Sequence, residues 1–147
     1  MPFYLDSSVL VKRYVAEVGS IRVSEIIDSQ DEIYISDIAQ VEVIAALTRR
    51  GKLSRAAAEM MRLARDEFRK DYASGTFRAA VLTRQLLSEA AKLAERRELR
   101  GYDAVQLATA LKLQHTQPDS QFVLVCADAE LIRAATLEGL TVESVAV

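Results

Sequence analysis

Residues 122–128 read F-V-L-V-C-A-D, a run of six apolar residues followed by an acid. A continuous apolar run of this kind is typical of a strand that is buried on both faces of a parallel sheet. The next residues, 129–138, favour a helix that ends at Gly139. A buried strand that leads directly into a helix predicts an α/β fold, and Asp128 stands at the junction.

The same alternation extends over the rest of the chain. Short apolar runs predict four more strands, at residues 3–5, 33–35, 77–82 and 140–145. Helical patterns fill the segments between them, at residues 7–16, 20–29, 37–50, 54–72, 83–97 and 103–113, and Pro118 is expected to end the last of these units. Strands that alternate with helices predict a mostly parallel sheet that is covered on both faces. We therefore expect one α/β domain over residues 1–147.

The composition is that of an ordinary globular chain, with 50% hydrophobic and 27% charged residues. The one cysteine, Cys126, excludes a disulfide framework and is expected to be a buried, unreactive thiol in a reducing compartment. No apolar run approaches the ~18 residues that a membrane helix needs, and the start of the chain lacks the basic segment of a secretory signal. We expect a cytoplasmic protein without membrane contacts.

The net charge of −2 gives no global attraction to nucleic acid. Residues 49–70 nevertheless carry eight basic side chains against three acidic ones. This local excess could meet phosphates or an acidic partner, and a solvated helix face is the alternative. The single histidine, His115, is far from every motif and is assigned no role.

Two acids follow predicted strands: Asp6 after residues 3–5, and Asp128 after the apolar run. Ligands of parallel sheets bind outside the carboxyl ends of the strands, near the point where the strand order reverses. Helix capping is the alternative for each acid, since Asp is a favoured N-cap residue. Ser7 or Ser8 could cap the first helix instead, which would leave Asp6 free to face a site.

Glu42 lies within an apolar stripe of the helix predicted at residues 37–50, with Ile38 and Ala45 among its neighbours. An isolated buried charge costs several kcal/mol, so this carboxylate should be paired, protonated or bound to a metal. A salt bridge to a nearby Lys or Arg is the structural alternative. Ser36 is expected to be the N-cap of this helix.

Asp103 opens the helix G-Y-D-A-V-Q-L-A-T-A-L at residues 101–111. With Gln106 three residues later it resembles a capping box, which is the structural interpretation. Leu107 and Leu111 follow at i+4 and i+8, however, and they place Asp103 on the buried edge of the helix. Capping and metal binding need not exclude each other.

The four acids come from separated segments that such a sheet can bring together. Their carboxylates would repel one another strongly unless a cation compensates. A carboxylate cage without His or Cys ligands suits a hard divalent cation, Mg²⁺ or Mn²⁺. A water held by such a cation can become a nucleophile, and a phosphodiester is the substrate best suited to the site.

Four stretches carry a pattern beyond these single residues: Y-L-D-S-S-V-L-V-K-R-Y, S-D-I-A-Q-V-E-V-I-A-A-L, L-R-G-Y-D-A-V-Q-L-A-T-A-L and V-C-A-D-A-E-L-I-R-A-A-T-L-E-G-L-T-V. In this order the chain resembles the PIN-domain family, and specifically the VapC-type toxins of toxin–antitoxin pairs. The resemblance covers essentially the whole chain. It implies a three-layer α/β/α PIN-like domain with a central, mostly parallel sheet, and ribonuclease activity that depends on Mg²⁺ or Mn²⁺.

The resemblance also implies an acidic catalytic and metal site made of four residues: Asp6, Glu42, Asp103 and Asp128. Asp6 and Asp103 match the most regular metal ligands of the family, and Ser8 would support the site by hydrogen bonding. The chain departs from many relatives at Gln106, where they have His, and at Ala127, where they have Thr or Ser. Neither departure removes a carboxylate.

An endoribonuclease also needs groups that hold RNA near an acidic pocket. Five basic residues are candidate contacts to the RNA backbone: Lys12, Arg13, Arg49, Arg50 and Lys52. In the family, the helical pair after the second strand commonly holds a cognate antitoxin and contributes to a homodimer. The resemblance transfers that expectation to about residues 37–72.

Two other functions stay open at this point. A receiver-like signalling module also places acids around Mg²⁺ at strand ends, but no late Lys follows a strand here and Glu42 would have no role. The other is a PIN domain that only binds RNA or protein, against which the four intact acids argue.

Overall fold

The computed structural model describes residues 1–117 and 121–145, and at its centre lies a five-stranded sheet. The strands are β1 Phe3–Leu5, β2 Ile33–Ser36, β3 Arg78–Ala80, β4 Val123–Cys126 and β5 Thr141–Ser144. Their order across the sheet is β3-β2-β1-β4-β5, and each neighbouring pair is parallel. The five predicted strands are confirmed. The helix end predicted at Pro118 lies outside the described residues.

The helices of the described ranges lie between these strands. They are α1 Ser7–Leu10, α2 Ser20–Asp28, α3 Ala39–Arg50, α4 Arg55–Ser74, α5 Arg84–Arg97, α6 Gly101–His115 and α7 Ala129–Leu137. A turn of 3₁₀-helix follows α1 at Val11–Arg13, and another follows α3 at Gly51–Leu53. Ser54 and Thr83 cap α4 and α5 with their side-chain oxygens, which is why both helices begin where the sequence predicted.

The helix predicted at residues 7–16 is wrong in its second half. After α1 the backbone tightens into the 3₁₀ turn, in which the amide of Tyr14 donates to the carbonyl of Val11 at 2.9 Å. The chain then turns into α2 through Gly19, whose φ of +90° lies in the left-handed region.

The start of α3 also differs from the prediction. Ser36 is the last residue of β2, and Ile38 occupies the N-cap position. The amide of Asp37 donates to the carbonyl of Ala80 at 2.9 Å, which extends the pairing with strand β3 past the end of β2. The Ser36 hydroxyl instead accepts a hydrogen bond of 3.2 Å from the amide of Ile38, so it closes the turn that precedes the helix.

Two hydrophobic cores lie on opposite faces of the sheet. Along β1, Phe3 and Leu5 face the first core and Tyr4 faces the second, as the two-residue period of a strand requires. Side chains from α2, α3 and α4 complete the first core, and side chains from α5, α6 and α7 complete the second. The predicted three-layer α/β/α architecture is confirmed.

Two smaller expectations concern the membrane and the thiol. None of the helices in the described part of the chain has the length and apolar character to cross a membrane. Cys126 is a free, fully buried thiol. Burial, together with the charges of Asp6 and Asp128, raises its pKa to about 12, so the reactive thiolate is disfavoured.

Candidate active site

The strand order reverses between β1 and β4, which lie side by side at the centre of the sheet. The chain runs outward from β1 through β2 to β3, and later outward in the other direction from β4 to β5. The carboxyl ends of the two central strands therefore flank the crevice where sheets of this kind bind ligands. Asp6 follows β1 directly, and Asp128 lies just beyond β4, so both acids lie at this crevice.

A cavity of about 630 Å³ opens at the crevice. Its lining contains the four predicted acids: Asp6, Glu42, Asp103 and Asp128. They are supplied by four different places in the fold, namely the end of β1, α3, the first turn of α6 and the start of α7. The structure thus brings together acids that are up to 122 residues apart, from Asp6 to Asp128 (128 − 6).

Asp6 occupies the N-cap position of α1, yet its side chain makes no capping hydrogen bond. The hydroxyl of Ser8 donates to Asp6 Oδ2 instead, and Asp6 is only 4% exposed. The expectation that Ser7 or Ser8 caps the helix is wrong, since neither side chain does so. Ser7 is the first helical residue, and its hydroxyl donates to Glu42 Oε1 at 2.9 Å.

Glu42 lies in the first turn of α3 and is half-buried. Its Oε1 accepts hydrogen bonds from Ser7 Oγ at 2.9 Å and from Gln106 Nε2 at 3.0 Å. Across the described ranges Glu42 makes no ion pair, so the salt bridge that was its structural alternative is absent there. Its partners are neutral, and its second oxygen, Oε2, accepts no hydrogen bond from the described residues.

Asp103 is the third helical residue of α6, whose N-cap position is taken by Arg100. The capping-box interpretation is therefore wrong, and Gln106 turns inward to other partners. Asp103 is 5% exposed, and no donor in the described part of the chain reaches its carboxylate. Each of its oxygens still retains contact with the open space of the cavity. Asp103 is thus a buried carboxylate without a hydrogen-bond donor among the described residues.

Asp128 is both a cap and a lining residue of the cavity. Its Oδ1 accepts hydrogen bonds from the amides of Glu130 at 2.8 Å and Leu131 at 3.1 Å, which caps α7. The capping alternative is thereby confirmed for Asp128, and it does not remove the residue from the crevice.

The electrostatics of the site follow from burial and crowding. The pKa of Asp6 is raised to about 6, first by burial and then by the charges of Asp103 and Glu42, against the opposing effect of the Ser8 hydroxyl. The pKa of Asp103 is likewise raised to about 6, first by burial and then by Asp128, while Arg100 opposes the shift. Both acids are therefore costly to ionise without a compensating cation.

The donor chemistry of the cavity suits a hard divalent cation, because its ligands are carboxylates and Asp103 has no donor from the described residues. Within residues 1–117 and 121–145, however, no three His, Cys, Asp or Glu side chains are arranged to hold a metal ion as they stand. The four-ligand metal site therefore stays a prediction, and ligation would require the carboxylates to draw closer together.

The five predicted RNA contacts have different surroundings. Lys12 pairs with Glu17 at 3.3 Å, and the guanidinium of Arg13 binds both oxygens of Asp28 at 3.0 and 2.8 Å. Arg50 pairs with Glu17 at 2.6 Å. Lys52 is exposed and lies outside the cavity lining, whereas Arg49 is part of that lining. Of the five, Arg49 is the one at the cavity.

Two groups of residues at the site were not predicted. Tyr102 is 47% exposed, lines the cavity and accepts a hydrogen bond of 3.2 Å from Arg100. Arg100 and Tyr102 stand just before Asp103 in L-R-G-Y-D, and this position is the signal that could have indicated both residues. Gln106 and Tyr4, which are hydrogen-bonded to each other, are the second group. Nothing in the local sequence indicates that pairing, because it joins two elements that are distant in the chain.

Comparisons with known proteins agree with this architecture. The chain is similar to PAE2754 from Pyrobaculum aerophilum, with 19% identity, a TM-score of 0.60 and coverage of 97% of this chain and 92% of that one. It is similar to VapBC2 from Rickettsia felis, solved bound to a DNA fragment from their promoter, with 15% identity, a TM-score of 0.64 and coverage of 98% of both chains. It is also similar to FitAcB from Neisseria gonorrhoeae, with 17% identity, a TM-score of 0.62 and 95% coverage of both.

At these identities the structural matches show the fold alone. A comparison with curated protein sequences gave no significant match. The family model described as the PIN domain matches residues 3–137, which is nearly the whole chain. The chain therefore belongs to the PIN-domain family.

Proposed function

We propose that this chain is a metal-dependent endoribonuclease and the toxin component of a toxin–antitoxin pair. The observation that carries the proposal is the convergence of four carboxylates on one cavity, among them a buried Asp103 that receives no hydrogen bond from the described residues. Membership of the PIN-domain family favours a nuclease, and it removes support from the receiver-like alternative.

The side chains favour a hydrolase without a side-chain nucleophile. The only histidine, His115, lines a separate cavity between α5 and α6, and the only cysteine, Cys126, is buried with a raised pKa. Neither can serve as a nucleophile at the four acids. We take water as the attacking group, whose in-line attack on phosphorus would cleave the bond to the leaving 3′ oxygen.

Asp6 and Asp103 are the foremost ligands for Mg²⁺ or Mn²⁺, with Glu42 and Asp128 completing the set. When bound, the cation supplies a Lewis acid that activates water and neutralises charge on the phosphate. The protein's own part is to hold the carboxylates in place. Ser8 fixes Asp6 by donating to one of its oxygens, and the capping hydrogen bonds fix Asp128.

The rim of the cavity supplies groups that suit RNA. Arg49 lines the cavity, and the charge of Arg100 is close enough to Asp103 to oppose the rise in its pKa, so two cations flank the acids. Both can bind phosphate oxygens. The exposed ring of Tyr102 offers a surface on which an unpaired base can stack.

The antitoxin is expected on the surface of α3 and α4, within residues 37–72. Large apolar side chains are exposed there: Val41 at 68%, Leu53 at 87%, Met60 at 64% and Leu63 at 55%. A partner segment would bury these side chains and gain free energy in proportion to the apolar area covered. The resemblance to VapC-type toxins and the similarity to VapBC2 support this partner class, and the same surface is the candidate for the homodimer.

Cleavage of RNA tests the activity directly. The purified chain is incubated with RNA in Mg²⁺ or Mn²⁺, with and without EDTA, beside Asp6→Asn and Asp103→Asn. Asp31→Asn is the matched control, because Asp31 lies outside the cavity and pairs with the N-terminal amine at 2.9 Å. We expect cleavage only with the metal, at full rate in the control and at background in the two site variants. Cleavage that resists EDTA, or full activity in either site variant, would overturn the assignment.

The toxin role needs a separate measurement. Expression of the chain should arrest growth, and co-expression of the small protein encoded beside it should restore growth and give a complex that copurifies. A growth effect that persists in Asp103→Asn would contradict a toxin acting through this site. Absence of any growth effect would contradict the toxin role while leaving the nuclease activity to the cleavage experiment.

A further inference from the structure

Gln106 joins four elements of the fold through its side-chain amide. The residue is fully buried in α6, one turn beyond Asp103. Its Oε1 accepts a hydrogen bond from the hydroxyl of Tyr4 in β1. Its Nε2 donates to Ser7 Oγ in α1 and to Glu42 Oε1 in α3, both at 3.0 Å. Every hydrogen-bonding end of this buried amide is therefore engaged.

The direction of these hydrogen bonds is fixed by chemistry. A carboxylate oxygen only accepts, so the atom that faces Glu42 must be the amide nitrogen. The carbonyl end of Gln106 then faces Tyr4, whose hydroxyl must donate to it. Ser7 Oγ also donates to Glu42 Oε1, so the same hydroxyl accepts from Gln106 and points its own hydrogen at the carboxylate. The arrangement is one chain of donors that ends at Glu42.

The consequence concerns the two oxygens of Glu42. Oε1 receives both Ser7 and Gln106, while Oε2 receives no hydrogen bond from the residues of the described ranges. Two donors converging on one oxygen restrict the rotation of the carboxylate, and they leave the other oxygen for a ligand in the cavity that Glu42 lines. Gln106 is not part of the cavity lining, so it can act on a ligand only through its partners Glu42 and Ser7, which do line the cavity.

The geometry points to Gln106 as a positioning residue that, held by Tyr4, orients Glu42 so that Oε2 faces the cavity. This inference rests on the proposed function in one respect, which is that the ligand is a divalent cation. The position of Glu42 does not depend on the proposed function. The structural alternative is that Gln106 merely satisfies buried polar groups of the core. The two roles predict different behaviour of Glu42 and of metal affinity when the donor chain is cut.

Two variants cut the chain at different places. Gln106→Met keeps an unbranched side chain of similar length and removes both ends of the amide. Tyr4→Phe leaves Gln106 in place and removes only the hydroxyl that orients it. Tyr14→Phe is the matched control, because it removes a tyrosine hydroxyl that donates to Asp71 at 2.7 Å, away from the cavity. Melting temperatures of all four proteins identify general losses of stability.

The first measurement is Mn²⁺ affinity, by calorimetry or by the electron paramagnetic resonance signal of the free ion. Loss of an outer hydrogen bond to a metal ligand typically costs about tenfold or more in metal affinity. We expect a loss of that size in Gln106→Met, a smaller one in Tyr4→Phe, and none in the control, at a temperature where all the proteins are folded. Lower melting temperatures with unchanged Mn²⁺ affinity would leave Gln106 a purely structural residue and overturn the inference.

The second measurement does not depend on metal or on activity. Crystal structures of the wild type and of Gln106→Met, grown without divalent cations, give the position of Glu42 directly. We expect the carboxylate to leave Ser7 or to occupy more than one rotamer in the variant. An unchanged, well-ordered Glu42 would overturn the inference. A wild type that binds no Mn²⁺, with Glu42 displaced in the variant, would instead overturn the proposed metal dependence and leave the positioning role intact.

Discussion

Arg50 donates a hydrogen bond of 2.6 Å to Glu17, whereas Arg49, its neighbour in the chain, lines the acidic cavity. Two adjacent arginines of α3 thus have different surroundings. The charge of Arg50 is already opposed by a carboxylate, and Glu17 also holds Lys12 at 3.3 Å. Within the part of the chain that the structure describes, Arg49 makes no ion pair. Its charge is available to a phosphate.

We therefore expect Arg49→Gln to weaken RNA binding more than Arg50→Gln does. One lost phosphate contact corresponds to roughly a fivefold to tenfold loss of affinity and lowers the salt dependence of binding by about one ion. Arg50→Gln should change affinity by less than about twofold, because Glu17 keeps Lys12 as its partner. Fluorescence anisotropy with labelled RNA in EDTA, at several salt concentrations, measures both quantities. Equal losses of RNA affinity in the two variants would show that Arg49 and Arg50 contribute alike, and would contradict this prediction.

The raised pKa of Asp6 makes stability depend on pH in a defined direction. Its folded pKa of about 6 lies above the ordinary 3.8, so the folded state holds a proton that the unfolded state has released between these values. The stabilisation is complete below about pH 4 and is lost as the pH rises through 6. In EDTA, Asp6→Asn should therefore exceed the wild type in free energy of unfolding by about 3 kcal/mol at pH 8, and hardly at all at pH 4.

Urea denaturation at the two pH values measures this difference, and Asp31→Asn provides a control of opposite sign. The N-terminal amine lowers the pKa of Asp31, so its stabilisation is present above the ordinary pKa and is lost as the pH falls. Its replacement should therefore give no stabilisation at either pH. If Asp6→Asn were less stable than the wild type at pH 8 in EDTA, the prediction would be contradicted. The ionised carboxylate of Asp6 would then be stabilised by a partner in the folded protein.

The two roles of Asp128 can be separated by choice of substitution. Asn can still accept the capping hydrogen bonds from Glu130 and Leu131, whereas Ala cannot. Asp128→Ala should lower the free energy of unfolding by about 1 kcal/mol, and Asp128→Asn by only a few tenths. Both variants remove the carboxylate, so both should lower Mn²⁺ affinity to a similar extent. A variant Asp128→Asn that binds Mn²⁺ like the wild type would make Asp128 a cap alone.

Gly19 is the glycine whose replacement should cost most. Its φ is +90°, and an added Cβ would lie 2.6 Å from the carbonyl oxygen of Val145. Gly139 has the same φ of +90° but open space around its Cα, so it isolates the backbone contribution. Gly139→Ala should destabilise the protein by about 1 kcal/mol, and Gly19→Ala by at least about 1 kcal/mol more. Thermal or urea denaturation measures the loss of stability in each variant. Equal losses would mean that the backbone at Val145 can move away from the added Cβ with no loss of free energy.

Much of the fold is predictable because strands and helices have local patterns. The apolar run at residues 122–125 is typical of a strand that is buried on both faces. Ser54 and Thr83 are favoured N-cap residues and therefore indicate where helices begin. Asp6 and Asp128 follow from strand ends in the same way. The 3₁₀ turn at Val11–Arg13 is less predictable, since its residues are compatible with a helix and the contacts around them decide.

The details of the site depend on residues that meet only in the folded chain. Gln106 matches a capping box locally, but its amide finds Tyr4, Ser7 and Glu42, which lie 64 to 102 residues away in sequence. Likewise, nothing beside Arg13 in the sequence reveals that Asp28 neutralises it. Charge counts along the chain therefore predict a basic surface but not which of its cations are free.

The central position of β4 also bears on when the chain can act during its synthesis. Asp6, Glu42 and Asp103 leave the ribosome first, yet β1 lacks the neighbouring strand that completes the crevice until Val123–Cys126 has followed. Asp128 comes later still. A nascent chain therefore carries three of its four acids before the crevice exists, and the site is complete only after Asp128 has also been translated. The order of the strands thus delays completion of the site until most of the residues that build it have been synthesised.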